Sequence, residues 1–63
     1  EISTLEMNTY IRTLLEEYNY EIASEATMKG DDTVFSLSNK KGKTISFTVH
    51  KDGKVDIEYQ KES

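Results

Sequence analysis

The apolar residues of this chain change their spacing once, at Asn19, and that change limits the folds open to it. From Met7 to Tyr18 they recur at intervals of three or four, which is typical of one face of an α-helix. After Asn19 they alternate with polar residues, which is typical of strands that bury one face. The 63-residue sequence therefore predicts one helix followed by a β-sheet.

The start of the helix carries a capping box. Ser3 can accept a hydrogen bond from the first-turn amides while Glu6, three residues later, bonds back to Ser3. The pattern predicts a helix over about residues 4–18, with Asn19 as its C-terminal cap residue. Leu5 falls on the side opposite the apolar stripe, so we expect it to be exposed.

Four strands are predicted after the helix, joined by short turns that each contain glycine. Consecutive hairpins make an antiparallel meander, with the first and fourth of these strands at its edges. The strands lie over about residues 20–28, 33–38, 43–50 and 54–60.

The last hairpin has two possible registers. A two-residue turn would set Val49 opposite Asp56 and turn an acid toward the core. A three-residue loop over residues 51–53, with Gly53 at positive φ, sets Val49 opposite Val55 instead. Only the second register keeps the apolar faces together, so we predict the three-residue loop.

The alternation of apolar residues fixes the lengths of the other two turns in the same way. It predicts a three-residue loop at 40–42 and a two-residue loop at 30–31, and the second of these places Ala26 beside Phe35. The resulting fold is α+β and two-layered, with one N-terminal helix on a four-stranded antiparallel meander (αββββ), and residues 1–63 form a single small domain. Its architecture resembles that of cystatin-like and PepSY-like domains, a resemblance that implies no function. The predicted inner face, which the helix covers, comprises Ile22, Ala26, Met28, Phe35, Leu37, Ile45, Phe47, Val49, Val55, Ile57 and Tyr59.

The charge of the chain disfavours several classes of partner. The net charge is −4, with −6 in residues 1–32 and +2 in residues 33–63, so a phosphate backbone is repelled and no nucleic acid is expected. No apolar run approaches 18 residues, so neither a membrane span nor a signal peptide is expected. The cysteine-free sequence leaves localisation open, with the cytoplasm as the default.

His50, the only histidine, is the one residue that suggests chemistry. The predicted register points it away from the core at the end of the outer sheet face, with no carboxylate, nucleophile or second ligand fixed beside it. No metal, phosphate or nucleotide motif is present. We therefore predict that the protein is not an enzyme and has no catalytic residue, metal or cofactor.

The outer face of the predicted sheet is the most distinctive surface. Short side chains occupy its middle, where exposed sheets usually carry long charged ones, and such a patch can receive another protein or the rest of a parent chain. We predict a non-enzymatic protein–protein interaction module, such as a small acidic inhibitor, adaptor or assembly domain, that is a monomer or weak homodimer and uses this face or an edge strand. The alternative is a structural or spacer domain, natural or designed, with no ligand. The predicted interaction face comprises Glu25, Val34, Ser36, Ser46, Thr48, Asp56 and Glu58.

Overall fold

The computed structural model describes residues 1–61 and shows one helix against a five-stranded antiparallel sheet. The sheet has the strand order β1-β5-β4-β3-β2. The fold is thus α+β, as predicted, with one strand more than the predicted four. The elements are β1 (Ile2–Ser3), α1 (Thr4–Glu17), β2 (Glu21–Lys29), β3 (Asp32–Ser38), β4 (Lys43–Val49) and β5 (Lys54–Lys61).

Strand β1 is the element that the sequence pattern missed. It pairs antiparallel with β5, and Ile2 lies opposite Val55. Two residues are too few to show alternation, but the N-cap itself explains the strand, because Ser3 has extended backbone angles (φ −82°, ψ 163°) that fit a ladder. Strand β1 covers only the first two residues of β5, Lys54 and Val55, so the prediction that the last strand is an edge was wrong there and holds for the rest of the described strand.

The predicted capping box is present at the start of α1. The Ser3 hydroxyl accepts a hydrogen bond from the Glu6 amide at 3.2 Å, and the Ser3 amide donates to Glu6 Oε1 at 3.1 Å. The helix ends at Glu17, one residue earlier than predicted, and Asn19 follows in the left-handed region at φ 58°. Sequence reasoning thus identified both ends of the helix to within one residue.

The start of α1 is also bonded to the β4–β5 loop. The Thr4 amide and the Thr4 hydroxyl both donate to the Gly53 carbonyl, at 3.1 and 2.8 Å. Gly53 has φ 91°, as the predicted three-residue loop requires. The register that follows sets Val49 opposite Val55, which confirms the alignment chosen from the sequence.

The pairing of β2 with β3 departs from the prediction. Lys29 lies opposite Asp32, as the two-residue loop requires, but the register shifts between Ile22 and Ser24 and again between Ser24 and Thr27, and the second shift falls where Ala26 was predicted to meet Phe35. Each shift adds one unpaired residue to β2, which is the arrangement of a β-bulge. Beyond the loop, the ladder retains the pairs Met28 with Thr33, Thr27 with Val34, Ser24 with Ser36, Ile22 with Leu37, and Glu21 with Ser38.

The core lies between α1 and the three strands β3, β4 and β5. Phe47 is fully buried at its centre, stacked on Phe35 with 5.2 Å between ring centroids, and Tyr10 of the helix meets it edge-on at 6.2 Å. These aromatic contacts add specific geometry to the burial of apolar area. The buried side chains are Met7, Leu14, Leu37, Ile45, Phe47 and Val55.

The helix does not cover the whole inner face, contrary to the prediction. Ile22 and Met28 of β2 are 66% and 67% exposed, and Tyr59 of β5 is 68% exposed. The reason is width: a helix is about 10 Å across, whereas five strands about 4.8 Å apart span roughly twice that distance. Strand β2 is therefore left without a covering layer, and all nine of its residues are exposed.

Candidate functional site

The outer face of the sheet carries six of the seven residues predicted to form an interaction surface. Two rows cross strands β3, β4 and β5 there, and each residue alternates with an inward neighbour such as the buried Leu37 or Phe47. We call these residues the outer face. The rows are Ser36, Ser46 and Glu58, and Val34, Thr48 and Asp56.

Glu25 is the predicted residue that the structure places differently. It was expected opposite Ser36, but the bulges in β2 bring Ser24 to that position. The Ser24 and Ser36 hydroxyls lie 2.9 Å apart and share a hydrogen bond across the two strands. The alternation of apolar and polar residues could not reveal this pair. A bulge shifts that alternation, and here no glycine or proline marks the bulge.

The side chains of the outer face are short and polar at its centre and acidic toward β5. Ser36, Ser46 and Thr48 are half-buried by their neighbours, whereas Asp56 and Glu58 are exposed. Hydroxyls can both donate and accept hydrogen bonds, and carboxylates only accept them. The centre therefore suits polar groups of either kind, and the β5 side suits donors or cations.

His50 directly follows β4 at one end of the outer face, and its ring contacts β3 and β5. Its Nδ1 is 3.1 Å from Asp32 Oδ1 of β3, and its Nε2 is 2.7 Å from Asp56 Oδ2 of β5. The expectation that no carboxylate is held beside His50 was wrong. We call His50, Asp32 and Asp56 the histidine clasp.

The register alone contained the signal for this clasp. Thr33 lies opposite Val49, so Asp32 comes opposite His50 one step further along the strands. Asp56 lies opposite Thr48, which places it diagonally from His50 on the same face. Diagonal neighbours are about 7–8 Å apart at the backbone, which long side chains can bridge.

The clasp raises the pKa of the His50 imidazole above its usual value. The hydrogen bond to Asp56 is the largest cause, followed by the one to Asp32, because both stabilise the charged ring. A neutral imidazole has one N–H donor and so can satisfy one of the two carboxylates, whereas the protonated ring donates to both. The arrangement thus favours a protonated, doubly bonded His50.

The geometry of the clasp also bears on metal binding and on catalysis. The two carboxylates sit on opposite nitrogens of one ring, so the three side chains do not converge on a common point. Over residues 1–61, no three His, Cys, Asp or Glu side chains are grouped so that they could hold a metal ion. A general base needs a ring nitrogen free to take a proton, and both nitrogens of His50 are engaged.

Comparisons with protein-family models, with curated proteins and with solved structures found no match to this chain. Within the described residues, the helix is too short and too polar to cross a bilayer. The features of the structure that bear on function are the outer face, the histidine clasp and the uncovered strand β2.

Proposed function

We propose that this protein is a non-enzymatic protein–protein interaction module that binds its partner, or another part of a parent chain, through the outer face. The observation that carries the proposal is the composition of the two rows that cross β3, β4 and β5. Their centre is built from serine, threonine and valine, while the acids stand at the side of β5. In place of Glu25, Ser24 extends the surface onto β2.

Short side chains support binding because they lose little conformational entropy on contact. Burying a long lysine or glutamate costs up to about 2 kcal/mol of rotamer freedom, far more than burying a small residue. The Ser24 hydroxyl is already fixed by its bond to Ser36. A partner would thus meet short side chains, of which the Ser24 and Ser36 hydroxyls are already positioned before it binds.

The acidic side of the face indicates the chemistry of the partner. Asp56 and Glu58 are exposed on β5, and Asp56 is also held by His50. Lysine, arginine or backbone amide donors of a partner can bond to these carboxylates. The partner surface is accordingly polar at its centre and basic at one side.

The non-enzymatic part of the proposal is supported by the state of His50. It is the only histidine in the sequence, and both of its ring nitrogens bond to carboxylates. A ring in this arrangement links strands, and a structural role accounts for all its contacts.

Affinity capture from a cell extract tests the proposal. The wild-type chain is compared with the double variant Ser46→Arg, Thr48→Lys, which puts two long cations at the centre of the outer face. The matched control is Asn8→Arg, Thr9→Lys, because both positions are exposed on the helix and the charge change is the same. We expect a partner retained by the wild type and the control and lost by the outer-face variant.

Two results would contradict the proposal. If the outer-face variant, shown to be folded by circular dichroism, captured the same proteins as the wild type, the interaction surface would lie elsewhere. If the wild type captured nothing beyond what the control resin binds, the alternative of a structural or spacer domain would replace the interaction module.

A further inference from the structure

Strand β2 is an edge whose outer side is open along its length. Among residues 1–61 it pairs with β3 alone, and all nine residues from Glu21 to Lys29 are exposed. An edge of this length presents unpaired amides and carbonyls that another strand can satisfy. Proteins usually protect such edges with charges or proline, but here charges stand at the two ends and the centre, and proline is absent.

The sequence of β2 is complementary to itself when it is read antiparallel about Glu25. In that register Glu21 of one copy meets Lys29 of the other, and Ile22 meets Met28. The faces agree at both ends of the strand. Ile22 and Met28 both lie on the inner face, which α1 leaves uncovered, while Glu21 and Lys29 both lie on the opposite face. Two ion pairs and two apolar pairs thus form in one alignment.

We propose that a second copy of this chain pairs antiparallel with β2 and forms a ten-stranded sheet with the two β2 strands at its centre. The charge pattern of the strand is what selects a second copy, because each copy supplies both the acid and the base that the other lacks. Ile22 and Met28, two of the most exposed apolar residues, would each gain an apolar cross-strand neighbour. This pairing uses β2 and is independent of the outer-face proposal.

Three features keep the dimer weak. Glu25 meets its own copy at the centre of the register, and two like charges directly opposite each other repel. The bulges between Ile22 and Thr27 also interrupt the regular ladder of the strand. A chain of net charge −4 adds repulsion between copies that salt screens. The dimer should therefore form at high protein concentration.

Charge reversal tests the register by sedimentation equilibrium over concentrations up to about 1 mM, where weak dimers are populated. Glu21→Lys alone places Lys opposite Lys29, and Lys29→Glu alone places Glu opposite Glu21, so each should weaken the homodimer about tenfold or more. The double variant Glu21→Lys, Lys29→Glu should restore the wild-type dissociation constant. An equimolar mixture of the two single variants should form a heterodimer tighter than either homodimer.

Variants away from β2 provide the control. Glu16→Lys on α1 and Lys41→Glu in the β3–β4 loop make the same charge changes at exposed positions and should leave dimerisation nearly unchanged. Conversely, Glu25→Thr removes the central repulsion and should tighten the dimer. Circular dichroism confirms that each variant is folded.

The inference is overturned if the wild type stays monomeric over the whole range and Glu25→Thr does too. It is equally overturned if a dimer forms but neither single variant weakens it, because the contact would then lie on another surface. Loss of extract partners in the Ser46→Arg, Thr48→Lys variant does not bear on this result, since those residues lie on β4 and β3 separates β4 from β2.

Discussion

The imidazole of His50, which directly follows β4, bonds to one carboxylate on β3 and one on β5, and its protonation sets how many of those bonds it can make. The pKa of His50 is raised by Asp56 first and by Asp32 second. A raised pKa in the folded state means that the folded protein holds this proton more tightly than the unfolded chain does. The contribution of His50 to stability is therefore full below its unfolded pKa of about 6.5 and is lost as the pH rises through the higher folded value.

We expect the free energy of unfolding in urea to fall in the wild type as the pH rises above about 6.5. His50→Gln should reduce this fall, because it removes the only histidine in the sequence. The folded pKa can be read directly from the NMR titration of the His50 ring protons. It should lie above 6.5, the usual histidine value.

Variants of one aspartate at a time separate the two hydrogen bonds that raise the pKa of His50. Asp56→Asn should lower the His50 pKa more than Asp32→Asn, because the bond to Asp56 is the larger cause and the shorter contact, at 2.7 Å against 3.1 Å. A His50 pKa that stays the same in both variants would show that the clasp does not form in solution.

Residue-level prediction succeeded where the strands are regular and failed where they bulge. The rows that contain Ser46 and Thr48 follow from the loop lengths and the alternation of apolar residues, and the structure confirms their placement. Glu25 was misplaced because its strand contains two extra residues with no turn residue to mark them. The histidine clasp was missed although the register contained it, because the predicted second strand began at residue 33 and left out Asp32, and because Asp56 lies diagonally from His50.

At the scale of elements, the stability of the N-terminus of α1 depends on the Ser3 hydroxyl. Ser3→Ala removes the acceptor for the Glu6 amide and should destabilise the protein by about 1 kcal/mol. Urea denaturation gives this value from the shift in midpoint. Thr9→Ala is the control, because the Thr9 hydroxyl bonds to the Leu5 carbonyl within the helix and caps nothing. Equal losses in the two variants would argue against the cap.

The β4–β5 loop depends on the backbone conformation of Gly53. At φ 91°, an alanine is strained by about 1–2 kcal/mol, and this strain is conformational because an added Cβ would meet only Thr4 Oγ1 at an ordinary 3.9 Å. Gly30→Asn should cost much less, since φ there is 67°, which asparagine tolerates, and no atom lies within 4 Å. Thermal unfolding of Gly53→Ala and Gly30→Asn compares the two turns. A neutral Gly53→Ala would contradict the bulged loop.

The elements themselves were largely predictable from the sequence. The capping box, the spacing of the apolar residues and the glycine-containing turns predicted α1 and the four longer strands, because each of those signals is local. Strand β1 has only two residues and exists through its partner β5, so no local pattern could reveal it. Element prediction thus ended where structure depends on pairing between distant parts of the chain.

At the scale of the whole molecule, stability depends on a core of few side chains. Phe47 is fully buried between Phe35 and Tyr10, so Phe47→Ala should cost about 3–5 kcal/mol. A domain of this size has only about 3–9 kcal/mol of stability, so much of the variant should be unfolded. Leu5→Ala, 77% exposed, should change stability by less than about 0.5 kcal/mol. Urea unfolding of both variants is the test, and similar losses would contradict the packing described.

The contacts of β1 with β5 and of Thr4 with Gly53 also affect the order in which the parts of the chain fold. The three hairpins join neighbouring segments, so their loops are short and close quickly. The pairing of Ile2 with Val55 and the Thr4 bonds to Gly53 join the two ends of the described chain, and closing so long a loop costs more entropy. The meander should therefore assemble first and the N-terminal segment should dock last. In the native protein β1 should detach first and leave the hairpins intact. Lys54 and Val55, at the N-terminal end of β5, are then briefly open to other strands.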